Sequence, residues 1–295
     1  MNNYEKESVN RRGFLKLAGA GLGGFLVAPT GRARAAGRTM DEVAILYDAS
    51  RCIGCRACEE ACKEYNELPL EPTPPTALSA VKWNLIQQRQ GVELEDHPFF
   101  NYQCMHCSDA ACVMVCPTKA LHKDEKGFIA LDAEQCNGCG YCTQFCPFGV
   151  PHLGGANAPT GEALAAKCTF CQDKVRAGYG GPSCAEACPT GALSWGKRSV
   201  LVADAQLRVA DLQAAGYSDA SVYGTREAGG LHRLSVLLDK PAAYGLPEDP
   251  EPPIMFSAVW QRVIQPLGGV AVGATGLGLV VAWLVARSRI KVEEI

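Results

Sequence analysis

The sequence has no clustered basic face. Residues 1–36 hold six Lys or Arg against two acids, so the rest of the chain carries a formal net charge of −7, against −3 for the whole. An acidic body of this kind is not built to neutralise phosphates, and no nucleic-acid partner is expected. No residue stands out as an acid, base or nucleophile and no substrate pocket is implied, so the chain is expected to be part of an enzyme and not an enzyme alone. Cysteine stops before Trp195, and charge is missing from Leu267 to Ala286. A hydrophobic content of 47% excludes wholesale disorder, and 295 residues leave room for two modest domains.

What is present in excess is cysteine, sixteen in all, far more than packing requires. The groups are Cys52, Cys55, Cys58 and Cys62; Cys104, Cys107, Cys112 and Cys116, then Pro117; Cys136, Cys139, Cys142 and Cys146, then Pro147; and Cys168, Cys171, Cys184 and Cys188, then Pro189. Cysteines separated by two residues are well placed to share a metal, whereas a disulfide demands a geometry that such pairs seldom meet without strain. Iron–sulfur clusters are the expected cofactors. A zinc-stabilised binding module and a disulfide scaffold are the alternatives from other classes.

The third group is the C-x2-C-x2-C-x3-C-P run of a bacterial ferredoxin, in which three cysteines hold one cluster and the fourth reaches across to another. Ala120 to Asp132, two short apolar runs around a charged turn ending in Gly127, reads as the connecting hairpin. By the crossing rule, Cys104, Cys107, Cys112 and Cys146 would hold one cluster (set C) and Cys136, Cys139, Cys142 and Cys116 another (set D). The first and third groups share one spacing, and the second and fourth share C-x2-C followed by C-x3-C-P, an A-B-A-B duplication. The same rule gives Cys52, Cys55, Cys58 and Cys188 (set A) and Cys168, Cys171, Cys184 and Cys62 (set B), which consumes all sixteen. Four 4Fe-4S clusters are expected, each with a formal charge of about −2 that is costly to bury without amide donors and cations.

Of the nearby cations, Lys119, Lys167, Lys174 and Arg176 are read as solvated surface charges, with tuning of cluster potentials as the alternative. His106 is read as a packed or hydrogen-bonding residue, with ligation of Rieske type as the alternative. Tyr141, Phe145, Phe148 and Phe170 are expected to shield clusters from water.

The ends of the chain suggest export and mooring. Asn10-Arg11-Arg12-Gly13-Phe14-Leu15-Lys16, a twelve-residue uncharged stretch and Ala33-Arg34-Ala35-Ala36 read as a twin-arginine export signal with a small-residue cleavage site. That route carries folded proteins, as a cofactor assembled in the cytoplasm requires. Leu267 to Ala286 is long enough to cross a bilayer, with Gly269-x3-Gly273 as a helix-packing face and Trp260 and Trp283 at the interfaces. Arg287, Arg289 and Lys291 after it place the C-terminus in the cytoplasm and the cluster domain on the periplasmic side of the inner membrane. Strands are expected over Glu42–Asp48, Val81–Gln88 and Leu231–Leu238, and a helix over Asp204–Ala215. Gln172–Ser183 is expected as a loop, and Pro247–Pro253 as a linker. Residues 63–103 are expected as an insertion packed over one cluster pair or as a solvated loop.

Together, Arg51-Cys52-Ile53-Gly54-Cys55, Gln103-Cys104-Met105-His106-Cys107 and Asn137-Gly138-Cys139-Gly140-Tyr141-Cys142 resemble the four-cluster ferredoxin subunit of molybdopterin oxidoreductase complexes, over about Ile45 to Trp195. The later Ala215-Gly216-Tyr217, Gly229-Gly230-Leu231-His232 and Tyr244-Gly245-Leu246-Pro247, with one terminal helix, are most similar to the beta subunit of membrane-bound formate dehydrogenase. The resemblance implies an α+β fold of two interleaved ferredoxin-like modules. Residues 1–36 would be the signal, 37–103 the first half of the outer module plus the insertion, 104–150 the inner module and 151–203 the second half of the outer module. Residues 204–259 would form an α/β extension and linker, 260–287 the membrane helix and 288–295 a cytoplasmic tail. It also implies relay of electrons from a molybdenum or tungsten molybdopterin alpha subunit to a membrane cytochrome b gamma subunit and quinone. An export signal on this chain is, by contrast, similar to the iron–sulfur subunit of some membrane-bound nickel–iron hydrogenases, which is the alternative assignment.

Overall fold

The computed structural model describes residues 42–70, 75–89, 99–154, 163–250, 259 and 263–289. The export signal read in residues 1–36 lies outside them, as do Trp260 and Lys291, on which the expected placement of the span partly depends. In chain order the described elements are β1 (Val43–Asp48), α1 (Ala57–Tyr65), β2 (Leu85–Gln88), β3 (Phe99–Tyr102), α2 (Ala111–Met114), β4 (Leu121–Lys123), β5 (Ile129–Leu131) and α3 (Tyr141–Phe145). They continue with β6 (His152–Gly154), β7 (Leu164–Ala166), α4 (Gln172–Ala177), α5 (Ser183–Glu186), β8 (Leu193–Lys197), α6 (Arg198–Ala214), β9 (Ser221–Tyr223), β10 (Arg233–Leu237) and α7 (Gln265–Arg289).

The duplication read from cysteine spacing is repeated in the backbone. Val43-Ala44-Ile45-Leu46-Tyr47 favours an extended strand, and Asp48 ends it by accepting a hydrogen bond from Ser50 N at 2.9 Å, which caps a single 3-10 turn that delivers Cys52. Asp132 does the same after β5, accepting from Glu134 N at 3.1 Å ahead of Cys136. Gly54 and Gly138 then take φ of +70° and +71° between the first two cysteines of each run. At Gly54 the requirement is also steric, since an added Cβ would stand 2.6 Å from the Phe99 ring. Arg56 and Gly140, both left-handed, start the helices α1 and α3 that carry Cys58 and Cys142.

Pairing follows the same pattern twice. β4 and β5, which flank the second and third cysteine groups, form an antiparallel hairpin with Leu121 opposite Leu131. β1 and β8, which flank the first and fourth, pair antiparallel with Leu46 opposite Ser194. Likewise α2 packs on α3, and α1 on α5. The β1–β8 pair is extended into a four-stranded sheet of order β8-β1-β10-β9, with β10 parallel to β1 and Ile45 opposite Arg233. Helix α6 packs across this sheet and buries Leu201, Ala205 and Leu212.

Several expectations are corrected. Gln172–Ser183 is not all loop: Gln172-Asp173-Lys174-Val175-Arg176-Ala177 forms α4, because it buries Val175 and ends only where Gly178 adopts φ +74° as its cap. The helix expected from Asp204 starts earlier, at Arg198, and the strand expected from Val81 starts at Leu85. The described part of the insertion is a solvated loop only in part, as at Leu70, which is 88% exposed. β2 and β3 pair with Leu85 opposite Tyr102, and Leu85, Ile86, Phe100 and Asn101 are buried.

α7 stands apart in character. It contains a span, Pro266–Leu284, long and apolar enough to cross a membrane, with a mean hydropathy of 1.9. Its described side chains are exposed all round, Leu267, Val272 and Leu279 among them, as a helix must be when no core of its own chain covers it.

Candidate metal centres

All sixteen cysteines are free thiols, which removes the disulfide scaffold. Two clefts each collect one expected quartet. One, of about 310 Å³, is lined by Cys52, Cys55, Cys58 and Cys188, whose chain positions span the first and fourth groups. The other, of about 300 Å³, is lined by Cys116, Cys136, Cys139 and Cys142.

The electrostatics of the thiols sort in the same way. Burial, then Glu59 and the thiols of Cys52, Cys188 and Cys55, pushes Cys58 up to about 12. Burial, then Cys168 and Cys171, raises Cys62, and burial, then Cys168, Cys62 and Cys171, raises Cys184. Burial, then Cys104, Cys112 and Cys146, raises Cys107, while burial, then Cys139, Cys136 and Cys116, pushes Cys142 up to about 11. Sets A and D thus line one cleft each, and the thiols of sets B and C act mainly within their own sets, Cys168 excepted, on which Cys104 of set C acts before Cys171. Some thiols also act across sets. Cys58 of set A acts on Cys184 of set B, Cys104 of set C on Cys168 of set B, and Cys142 of set D on Cys112 of set C.

The donor chemistry fits a cluster. Four thiolates repel one another and lose hydration, so a buried quartet ionises only around a compact cationic core. Backbone amides already point at sulfur: Ala165 N to Cys136, Phe170 N to Cys168 and Ser183 N to Cys171 at 3.4 Å, and Leu193 N to Cys188 at 3.3 Å. Among the described residues no three Cys, His, Asp or Glu side chains converge as a single ion requires. A zinc site would gather four ligands, its sulfurs about 2.3 Å from the metal.

Gln103 supplies a further test. Its Oε1 lies 3.9 Å from the sulfurs of both Cys168 and Cys184, while its buried Nε2 has no partner. As cluster ligands both sulfurs only accept hydrogen bonds, and the amide turned over then donates Nε2 to both, which removes the orphan.

The other expected residues divide. His106 is buried and its Nδ1 accepts from Ile129 N at 3.0 Å. Burial, then Lys167 and His232, holds it well below the ordinary imidazole range and therefore neutral. Phe170 is fully buried, edge-on to His106 at 5.1 Å and stacked on Phe128 at 4.9 Å, whereas Tyr141, Phe145 and Phe148 are half-buried. Lys119 is exposed. Arg176 is exposed and pairs with Asp124 at 2.7 Å, and Lys174 pairs with Glu186. Lys167 contradicts its expectation as a surface charge: it is 1% exposed, because Nζ is drawn inward by the carbonyls of Ile129 at 2.7 Å and Cys168 at 2.8 Å.

Sequence reasoning missed Asn101, Asn66 and Arg233. Asn101 Nδ2 lies 3.6 Å from Cys58 Sγ, and Asn66 Nδ2 3.6 Å from Cys62 Sγ. Asn66 stands one helical turn after its cysteine, a local signal that was available; Asn101 lies 43 residues away from Cys58 and gave none.

The family description "4Fe-4S dicluster domain" matches residues 95–198, and "4Fe-4S binding domain" matches residues 43–64. The nitrate-inducible formate dehydrogenase iron-sulfur subunit of Escherichia coli K12 is 38% identical over 81% of this chain and 83% of its own length. The formate dehydrogenase-O iron-sulfur subunit of the same organism is 35% identical over 92% of this chain and 89% of its own. The Hydrogenase-2 operon protein HybA of E. coli O157:H7 is 37% identical over 68% of this chain and 67% of its own. With its four thiol sets and this extent of likeness, the chain belongs to the family of formate dehydrogenase iron-sulfur subunits, the non-catalytic electron-transfer components of oxidoreductase complexes.

Proposed function

We propose that this chain relays electrons from a molybdenum or tungsten molybdopterin subunit that oxidises formate to a membrane cytochrome b and thence to quinone. Sets A, B, C and D would each hold one 4Fe-4S cluster, in two ferredoxin-like modules of which the inner, residues 104–150, sits between the halves of the outer. When bound, these clusters supply one-electron storage at four successive points. The chain's own residues do the rest. Amide donors and Gln103 stabilise ligand charge, Phe170 and Phe128 exclude water, and the two module frames fix the sequence of sets.

The observations that support this function are the electrostatic influences that link set A to B, B to C and C to D, with an exposed thiol in set A, Cys55, and in set D, Cys139. A relay needs contact with a donor at one end and an acceptor at the other, and a buried middle. α7 would moor the chain in the inner membrane, with the cluster body on the periplasmic side after twin-arginine export.

A hydrogenase role is the second reading, favoured by the likeness to HybA and by the Arg11-Arg12 signal on this chain. The large subunit that co-purifies with the native complex separates the two. Molybdenum or tungsten in that subunit is expected, and nickel without either metal would overturn the formate assignment.

A further inference from the structure

Arg233, on the fully buried strand β10, is 0% exposed, and among the described residues no carboxylate lies within 4.0 Å of it. Burial brings it down to about 10, so it stays charged at neutral pH. A buried charge without a counter-charge is among the most expensive features a fold can carry. Its contacts show where it is directed. The guanidinium donates to Ser235 Oγ at 2.5 Å and, through Nη2, to Asn101 O and to Asn101 Oδ1, the last at 3.2 Å. It also lies 5.1 Å from the centroid of the Tyr47 ring, and Tyr47 lines the cleft of set A.

Asn101, itself 0% exposed, carries the contact on to sulfur. Its Nδ2 donates to Asn84 Oδ1 at 2.5 Å and lies 3.6 Å from Cys58 Sγ of set A. Asn84 Nδ2 in turn donates to Cys58 O at 3.1 Å. The direction of each amide follows from its neighbours. A guanidinium only donates, so Asn101 must present Oδ1 to Arg233, and Nδ2 then faces the sulfur. A backbone carbonyl only accepts, so Asn84 must present Nδ2 to Cys58 O, which leaves its Oδ1 for Asn101. None of the three residues belongs to a cysteine group: Asn84 and Asn101 come from the insertion, and Arg233 from the segment after residue 203. The thiols of Cys184 and Cys168 in set B also act on Arg233 through space. Among the described residues, however, the hydrogen bonds that leave Arg233 through a side-chain amide lead to Cys58.

We propose that Arg233 is a positioning residue for the set A centre: it locks the Asn101 amide so that Nδ2 donates to Cys58 Sγ, and this chain holds that centre at a higher reduction potential. The proposal rests on the iron–sulfur function above. A 4Fe-4S centre with four cysteinates goes from a formal charge of about −2 to about −3 when it takes one electron from the relay. A hydrogen bond to a ligand sulfur, and a cation behind that bond, both favour the more negative state. Arg233 also polarises the amide it holds, so the two contributions are coupled. Cys55 of the same set is exposed, so the insertion and the later segment together tune a centre that is open to a partner.

The test is an EPR-monitored redox titration of the intact complex, with iron and acid-labile sulfide measured on the same samples. Cys55→Ser, which alters or removes the set A signal, identifies that centre. Asn101→Leu removes the donor at similar size. It should lower the set A midpoint by at least tenfold in the reduction equilibrium, which is about 59 mV for a one-electron couple, and leave the other three in place. Arg233→Met should lower set A by a similar factor and any other centre by less, and Arg233→Lys, which keeps the charge and a donor, should restore most of the loss. Because the two residues act as one chain, the double variant should fall little further than either alone. An unmoved set A midpoint, a larger shift of another centre, an Arg233→Lys protein as low as Arg233→Met, or a hundredfold fall in the double variant would each overturn the proposal. Should Asn101→Leu or Arg233→Met lose iron, Asn101→Asp decides: its carboxylate keeps the shape and pairs with Arg233 but cannot donate to sulfur, and it must lower the set A midpoint. A wild-type complex without about sixteen irons and sulfides per chain would instead refute the iron–sulfur function itself.

Discussion

Cys116→Ser is expected to disturb the centre of Cys136, Cys139 and Cys142 and to spare that of Cys104, Cys107 and Cys112, its own neighbours in sequence. Cys116 shares a cleft with the first three, and its thiol is among the charges that raise Cys142, while Cys107 feels Cys104, Cys112 and Cys146 instead. A serine oxygen is a poorer iron ligand than a thiolate, so the effect is either an altered EPR signature or loss of one cluster, about four of about sixteen irons. Combined variants give the assignment. Residues that share one centre act as a unit and their losses do not add. Where Cys116→Ser loses its cluster, Cys139→Ala added to it should remove no further iron, whereas Cys107→Ala added to it should remove about four more. The reverse pattern would return Cys116 to its own motif and undo the interleaved pairing.

Truncation before Leu267 is expected to release the body of the protein, clusters intact, from the membrane fraction and to slow or abolish quinone reduction. The span Pro266–Leu284 has 19 residues, about 29 Å of helix at 1.5 Å per residue, against a hydrocarbon core of about 30 Å. Its apolar side chains are exposed, with Trp283 57% and Leu284 52% accessible, so nothing in the rest of the chain is lost when it goes. Glycine-rich helices of this kind fold poorly in water but pack closely against other membrane helices. Membrane retention with quinone reduction at full rate would show that α7 is not the docking element.

What was legible in the sequence was local. Cysteine spacing is set by the short helices and turns that present each thiol, so Cys136, Cys139 and Cys142 reveal their shared purpose within a few residues. The hairpin of Leu121 and Leu131 was legible for the same reason, as was the strand at Val43. What was not legible depends on contacts far apart in the chain. Arg233 is buried because β10 lies parallel to β1, with Arg233 opposite Ile45, and no pattern around Arg233 announces that partner. Lys167 reads as one more lysine beside a cysteine until β5 brings the carbonyl of Ile129 to it. The α4 error was a matter of emphasis: Gly178, Gly180 and Gly181 dominated the reading of a segment whose first six residues form a helix with a buried Val175.

The most direct measurement is the metal content and colour of the full chain purified without oxygen. A brown protein with iron and acid-labile sulfide each at about sixteen per chain is the predicted result. A colourless protein carrying stoichiometric zinc would contradict it.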